Sequence, residues 1–157
     1  LLIVAGLGWL VYLQLQKDQQ GAETLYHDDI GESLTRLSIN LPGESEIVIV
    51  AKDIDEGLWD IIKPTQVPAN KQSLQHLFTL LGEPILAEYA LEGKDLGTFG
   101  LAESAIRLRF NSVEYHLGKL NPINHRRYVL LKDRILMVNE TVYELLMRGV
   151  DGFKEKS

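Results

Sequence analysis

The sequence predicts an α+β fold with a mainly antiparallel sheet. It reads as two β-meander-plus-helix halves preceded by an N-terminal transmembrane helix. Three observations predict this. Residues 1–13 (LLIVAGLGWLVYL) carry no charged side chain, as a membrane-spanning segment requires. Farther on, apolar residues recur at period two in short runs bounded by Gly, Pro, Asn and Asp, the signature of half-buried strands. Two later stretches, each following a group of strands, switch to helical spacing.

The anchor is expected over residues 1–16. Leu1, Leu2, Ile3, Val4, Leu7 and Leu10 form its apolar surface. Trp9 and Tyr12 fit an aromatic belt at a membrane interface. Ala5, Gly6 and Gly8 are the small residues through which another membrane helix could pack closely. A span takes about 20 apolar residues, so the run is expected to extend upstream of Leu1. A cleaved signal peptide is the competing reading. No small-x-small site follows the run, however, and no Cys is present to accept a lipid. Lys17 is the first basic residue downstream of the run. A short basic stub before the run would place the remainder outside the cytoplasm, in the periplasm of a bacterium. Residues 17–33 are polar and read as a stalk. Residues 34–150 read as the α+β extracytoplasmic domain and 151–157 as a polar tail.

The elements follow in order. Leu37, Ile39 and Leu41 alternate with Arg36, Ser38 and Asn40, which predicts a strand. Pro42-Gly43-Glu44-Ser45 turns the chain into Glu46–Lys52 (EIVIVAK), rich in β-branched residues. A third strand runs from Leu58 to Lys63, with Trp59 and Ile61 on one face, and Pro64 stops it. Asn70 is an N-cap for a helix carrying Leu74, Leu77, Phe78 and Leu81, and Gly82 ends it. Pro84 opens a strand near Ile85–Ala90, and Asp95–Leu101 forms a compact turn. Ile106, Leu108 and Phe110 alternate, as do Val113, Tyr115 and Leu117 across an Asn111-Ser112 turn. Gly118–Arg127 is a loop. Tyr128–Leu131 and Ile135–Val138 form a last hairpin. Thr141 and Glu144, at capping-box spacing, start a final helix. Trp59, Phe78, Leu108 and Tyr128 are expected in the core.

Without the anchor, roughly 130 residues remain, enough for one domain. The formal charge of −6 argues against nucleic acid as the main partner and against a domain lying flat on anionic lipid. The absence of cysteine excludes disulfides and thiol chemistry.

Residues that could carry chemistry are scattered. His27-Asp28-Asp29 lies in the stalk without a further ligand at zinc spacing. His76 sits on the first helix, and His116 should face outward beside Glu114. Glu92, Asp95, Glu103 and Glu114 form no pair at the spacing that acid–base work requires. No nucleophile motif, phosphate loop or HExxH occurs. No catalytic, metal or cofactor residue is therefore assigned. His125-Arg126-Arg127-Tyr128 stands out as a basic cluster in an acidic chain. Arg126 and Arg127 are candidate partner contacts, because Arg binds carboxylate and phosphate bidentately and is enriched at interfaces. The structural alternative, favoured on general grounds, is an Arg that pairs with a local carboxylate and fixes the loop.

Several short motifs recur in order. They are Trp59-Asp60-Ile61 before Pro64, Pro68-Ala69-Asn70, Asp95-Leu96 with Phe99-Gly100-Leu101, Leu117-Gly118 with Pro122, and Arg127-Tyr128-Val129. On these residues, the chain from Leu37 to Val150 resembles a family of uncharacterised bacterial proteins, the domain of unknown function numbered four-three-four-zero. The anchor-plus-domain layout looks like its short proteobacterial members. Related domains occur in accessory proteins of gliding-type transporters. The resemblance implies an extracytoplasmic, non-enzymatic accessory module and supplies no catalytic residue. In physical terms the shared positions describe a fold: aromatics that bury large area, glycines for turns or positive φ, and prolines that fix loop conformation.

The expected function is a non-catalytic accessory or assembly subunit of a bacterial inner-membrane complex. It would be a single-pass protein with integral-membrane partners and a periplasmic domain. The alternative is a periplasmic binding module for an anionic ligand or glycan. The anchor reading predicts that the intact protein stays in the membrane pellet through a carbonate wash, whereas a version beginning at Gly21 is soluble. Recovery of the intact protein in the wash would overturn it.

Overall fold

Residues that alternate in the sequence alternate across a sheet. In β1 (Arg36–Asn40), Leu37 and Ile39 are fully buried, while Arg36 is exposed. In β6 (Ile106–Phe110), Ile106, Leu108 and Phe110 are buried and both arginines are exposed. The computed structural model describes residues 23–156 and is mainly a nine-stranded antiparallel sheet with a few short helices. The other strands are β2 (Ile47–Asp53), β3 (Leu58–Lys63), β4 (Val67–Pro68), β5 (Ala87–Ala90), β7 (Val113–Leu120), β8 (Arg127–Leu131) and β9 (Arg134–Val138). Their spatial order is β4-β3-β2-β1-β6-β7-β8-β9-β5.

The order shows how the chain is wound. β1 to β4 meander outward from the middle of the sheet, and β6 to β9 meander outward the other way. β1 and β6 pair at the centre, with Leu37 opposite Phe110 and Ile39 opposite Leu108. Between the meanders, the chain crosses from β4 at one edge to β5 at the other. Helix α1 (Lys71–Phe78) and a 3-10 turn at Thr79–Gly82 lie on this path. Asn70 caps α1 as expected, its Oδ1 accepting from Ser73 N at 3.0 Å.

Apolar side chains pack on both faces. The main face carries Leu37, Ile39, Ile49, Ile61, Leu108, Tyr115 and Val129. It is covered by Leu74, Leu77 and Phe78 of α1 and by two C-terminal helices, α2 (Tyr143–Met147) and α3 (Val150–Phe153). Trp59 packs against Phe78 with ring centroids 5.9 Å apart. On the opposite face a smaller cluster joins Tyr128, Ile135 and Met137 to Leu101, with Leu96 and Phe99 against it. Phe99 meets Tyr128 edge-on. The four expected core residues, Trp59, Phe78, Leu108 and Tyr128, are all buried.

Several expectations need correction. The stalk assigned to residues 17–33 is core from residue 24 onward: Leu25, Tyr26 and Ile30 are buried, and so is Leu34 just beyond it. Tyr115 Oη donates to Leu25 O at 2.6 Å, and Leu25 N and Tyr26 N donate to Glu83 O and Leu81 O. The polar tail assigned to 151–157 begins inside α3. There Phe153 is fully buried and its carbonyl accepts from Asn70 N at 2.6 Å. The final helix starts at Tyr143 without a Thr141 cap. Glu140 Oε2 instead accepts from Val142 N and Tyr143 N. Gly118 is not in the positive-φ region. It lies in β7, where a Cβ would overlap Phe99 O.

The expected anchor, including its contact residues Ala5, Gly6 and Gly8, lies outside the described residues. Among the described residues, no helix is long and apolar enough to cross a membrane.

The register defines two margins of the sheet. At the loop margin lie the ends of β1, β7 and β9 and the starts of β6 and β8. At the turn margin lie the β6–β7 and β8–β9 turns. Arg134, at the start of β9 and so at the turn margin, donates to both carboxylate oxygens of Glu23, whose own backbone is bonded to Ile85 just ahead of β5.

Because the 24–34 segment is core, Leu25→Ala should destabilise the domain by about 2–5 kcal/mol. Trp59→Ala should cost about 3–5 kcal/mol. Thermal or denaturant unfolding measures both, and a Leu25→Ala midpoint equal to that of the unmodified protein would return this segment to a stalk.

Candidate functional site

The basic cluster singled out in the sequence divides into two parts with different surroundings. Arg127 opens β8, where the antiparallel register sets it opposite Val138. It is only 7% exposed. Its Nε donates to Glu140 Oε1 at 2.7 Å, and its Nη1 donates to Gly118 O at 2.9 Å. The guanidinium lies over the Tyr143 ring, 3.9 Å from the centroid, a cation–π geometry. Glu140 in turn accepts from the first amides of α2. One buried pair therefore ties β7, β8 and the start of α2 together. Arg127 is a fastening and not a partner contact, which corrects that expectation. The structural alternative weighed for this cluster holds for Arg127.

Arg126 differs. It is half-buried, and its side chain makes no hydrogen bond or ion pair among the described residues. It belongs to the loop at residues 121–126, which is built from its own side chains. Asn121 Oδ1 accepts from Ile123 N at 2.8 Å and Asn124 N at 3.3 Å. Asn121 Nδ2 donates to Tyr128 Oη at 2.8 Å. Asn124 Oδ1 accepts from Arg126 N, and the Asn121 and Arg126 backbones close the loop at 2.7 Å. His125 adopts a positive φ of 59°. The loop is thus preset, since asparagine side chains replace the backbone partners that a turn would otherwise lack. Its tip is Ile123, 89% exposed. Leu120 beside it is also exposed, and so are Lys119 and His125. The loop thus holds an aliphatic side chain in water, with Lys119, His125 and Arg126 close to it in the chain.

The remaining candidates are accounted for locally. His27 Nδ1 accepts from Asp29 N and caps a short 3-10 turn at Asp28–Ile30. Asp29 pairs with Lys132 at 3.0 Å, and this hydrogen bond, with the lysine charge, holds its carboxyl below the usual range. His76 Nε2 lies 3.3 Å from Thr141 Oγ1. His116 faces outward as expected, with Nε2 2.8 Å from Glu114 Oε2, and Glu114 also receives Arg109 at 2.6 Å. Partial burial pushes the Glu114 carboxyl up, but its interactions with His116 and Arg109 outweigh it and leave it lowered. Asp95 Oδ1 caps the 3-10 turn at Leu96–Phe99. Among the described residues, no group of three metal-ligating side chains converges.

Arg107 is exposed opposite His116 on β7 and makes no side-chain bond among the described residues. It borders a depression lined by Leu96, Leu101, Ala105 and Leu130 and also by Glu103.

Two features leave no local signal in the sequence. Ile123 is a single aliphatic residue between Pro and Asn and carries no periodicity. The role of Glu140 depends on Arg127, thirteen positions away. No protein family, curated protein or solved structure matches the chain.

Removing one partner of a buried ion pair strands the other charge. Arg127→Ala and Glu140→Ala should each cost about 3–5 kcal/mol. The double variant should lose less than the sum of the two, because neither charge is then left alone. Additive losses in urea unfolding would show that the pair is not coupled.

Proposed function

We propose that this chain is a non-catalytic, single-pass accessory or assembly subunit of a bacterial inner-membrane protein complex, with its domain on the periplasmic side. The uncharged run at residues 1–13 supports the anchor. The resemblance to the uncharacterised bacterial family supports an accessory role. The observation that carries the reading is the preset loop at 121–126, which holds Ile123 in water. Leu120 beside it is exposed too, so the two offer a partner an apolar contact on an ordered support. The membrane partners are other integral subunits, met through Ala5, Gly6 and Gly8, and the loop is the extramembrane contact. The reading requires no cofactor and no nucleic acid.

The finer description of the fold belongs to the same proposal. β1–β4 with α1, and β5–β9 with α2 and α3, read as two related meander-plus-helix halves. Their central β1–β6 pairing supports this reading.

One observation favours a second function, a periplasmic binding module for an anionic ligand or glycan. Arg107, with no side-chain bond of its own, stands beside His116 over the apolar depression. With Arg127 committed to Glu140, such a ligand would meet Arg107 instead.

The accessory reading is tested by purifying the full-length protein from native membranes in mild detergent. Gly6→Leu with Gly8→Leu should release it from its complex while leaving it in the membrane. Ile123→Asp and Arg126→Glu should weaken the association without changing the melting temperature. A protein that purifies free of other subunits in every case would remove the proposal's support.

A further inference from the structure

We infer that the 121–126 loop docks into a second copy of this chain. Its seat there is the groove formed by Leu41, Pro42, Met147 and Val150. The inference rests on the reading of the loop as a contact element and names its partner; it does not depend on the membrane anchor.

The groove complements the loop in chemistry. Its apolar lining includes Met147, which is half exposed. Its carboxylates are Glu44 and Asp151. Glu44 makes no side-chain bond among the described residues, and Asp151 meets only the flexible Lys154, at 3.3 Å. One arginine, Arg148, also borders the groove. The loop offers the opposite set: an exposed isoleucine accompanied by Lys119, His125 and Arg126, none of them paired through its side chain. Apolar contact ringed by opposite charges is the pattern of a specific interface.

Topology allows the contact to close. Asn40 lies opposite Arg107 and Ile106 opposite Leu117, so the end of β1 and the end of β7 share the loop margin. The groove begins at Leu41, directly after β1, and the loop follows β7. Both features therefore stand at one margin of the same domain. A two-fold rotation between two copies brings each loop over the other's groove. Such an isologous pair is closed and does not grow into a filament. The apolar contact removes Ile123 and Met147 from water, which favours association.

The test uses the absence of native cysteine. Full-length Ile123→Cys and full-length Met147→Cys are purified in mild detergent, mixed and oxidised with copper phenanthroline. Both positions are exposed, so melting temperatures should be unchanged. The mixed pair should form a disulfide-linked dimer about tenfold faster than Ile123→Cys mixed with Leu58→Cys, and Arg126→Glu should slow it by a similar factor through like-charge repulsion. Leu58 is exposed at the turn margin and serves as the control. Glu44→Arg in the Met147→Cys copy should restore the rate lost through Arg126→Glu. Equal rates for the two mixed pairs would overturn the inference, as would dimers formed only between two Ile123→Cys copies. A photo-crosslinker at 123 separates the remaining outcomes. An adduct only with a different protein would overturn the second-copy assignment and leave the contact element standing. Binding to phosphatidylglycerol vesicles that is lost in Ile123→Asp, with no protein adduct, would overturn both.

Discussion

The pairing of β1 with β6 is the constraint on which the rest of the structure depends. It joins residues about seventy positions apart, and it makes one sheet of two meanders. Each meander is otherwise local, since its strands follow one another in the chain and need only short turns. The seam is the costly contact, because a long loop must close before its pairs form. Asn111 secures it. This residue sits at φ 54° in the β6–β7 turn. Its Oδ1 accepts from Thr35 N and Arg36 N, and its Nδ2 donates to Ile30 O and Ser33 O. One side chain therefore satisfies four backbone groups just before β1. With the seam set, the excursion through α1 covers the main face. The return from β5 to β6 passes the opposite face through the turn at Leu96–Phe99. The core thus has material on both sides of the second meander.

Ion pairs fasten the same frame at a few points. Arg134 is clamped by Glu23 and Glu88, whose hydrogen bonds raise its guanidinium pKa. Lys132 holds Asp29, Arg109 holds Glu114, and Arg127 holds Glu140. The first three are largely exposed, and such pairs contribute little stability. The Arg134 and Lys132 pairs link segments distant in sequence and so help specify which segment lies where. Arg107 and Arg126 lie outside this network, as do Arg36 and Arg148, whereas His27, His76 and His116 each have a local partner.

Sequence legibility followed periodicity. β3, β6 and β7 are legible because burial alternates along them, and β2, buried on both faces at Ile47–Ile49, is legible through its β-branched run. The helix after Asn70 was legible because its cap and its stripe agree. The segment at 24–34 was not. Leu25, Tyr26, Ile30 and Leu34 insert at irregular spacing from an extended chain, held by backbone bonds to residues 81–85 that no local pattern announces. Phe153 likewise stands alone among polar neighbours, and only its seat against α1 and the 68–70 backbone makes it core. Thr141 and Glu144 matched the capping-box spacing, yet Glu140 took the amides, because Arg127 already held it at the helix start. Of the basic cluster, the sequence could show the charges but not their division. Arg127 falls on the inward pleat of β8, and Arg126 lies one residue outside the strand, where nothing forces it inward.

The placement of the two margins connects fold to function. The loop with Ile123 and the groove that begins at Leu41 stand at the same margin, after β7 and after β1. On the proposed reading, the geometry of a contact placed there is set by the sheet. The β1–β6 seam makes this possible. Without it, the groove after β1 and the loop after β7 would belong to separate meanders. With it, they stand at one margin of one sheet.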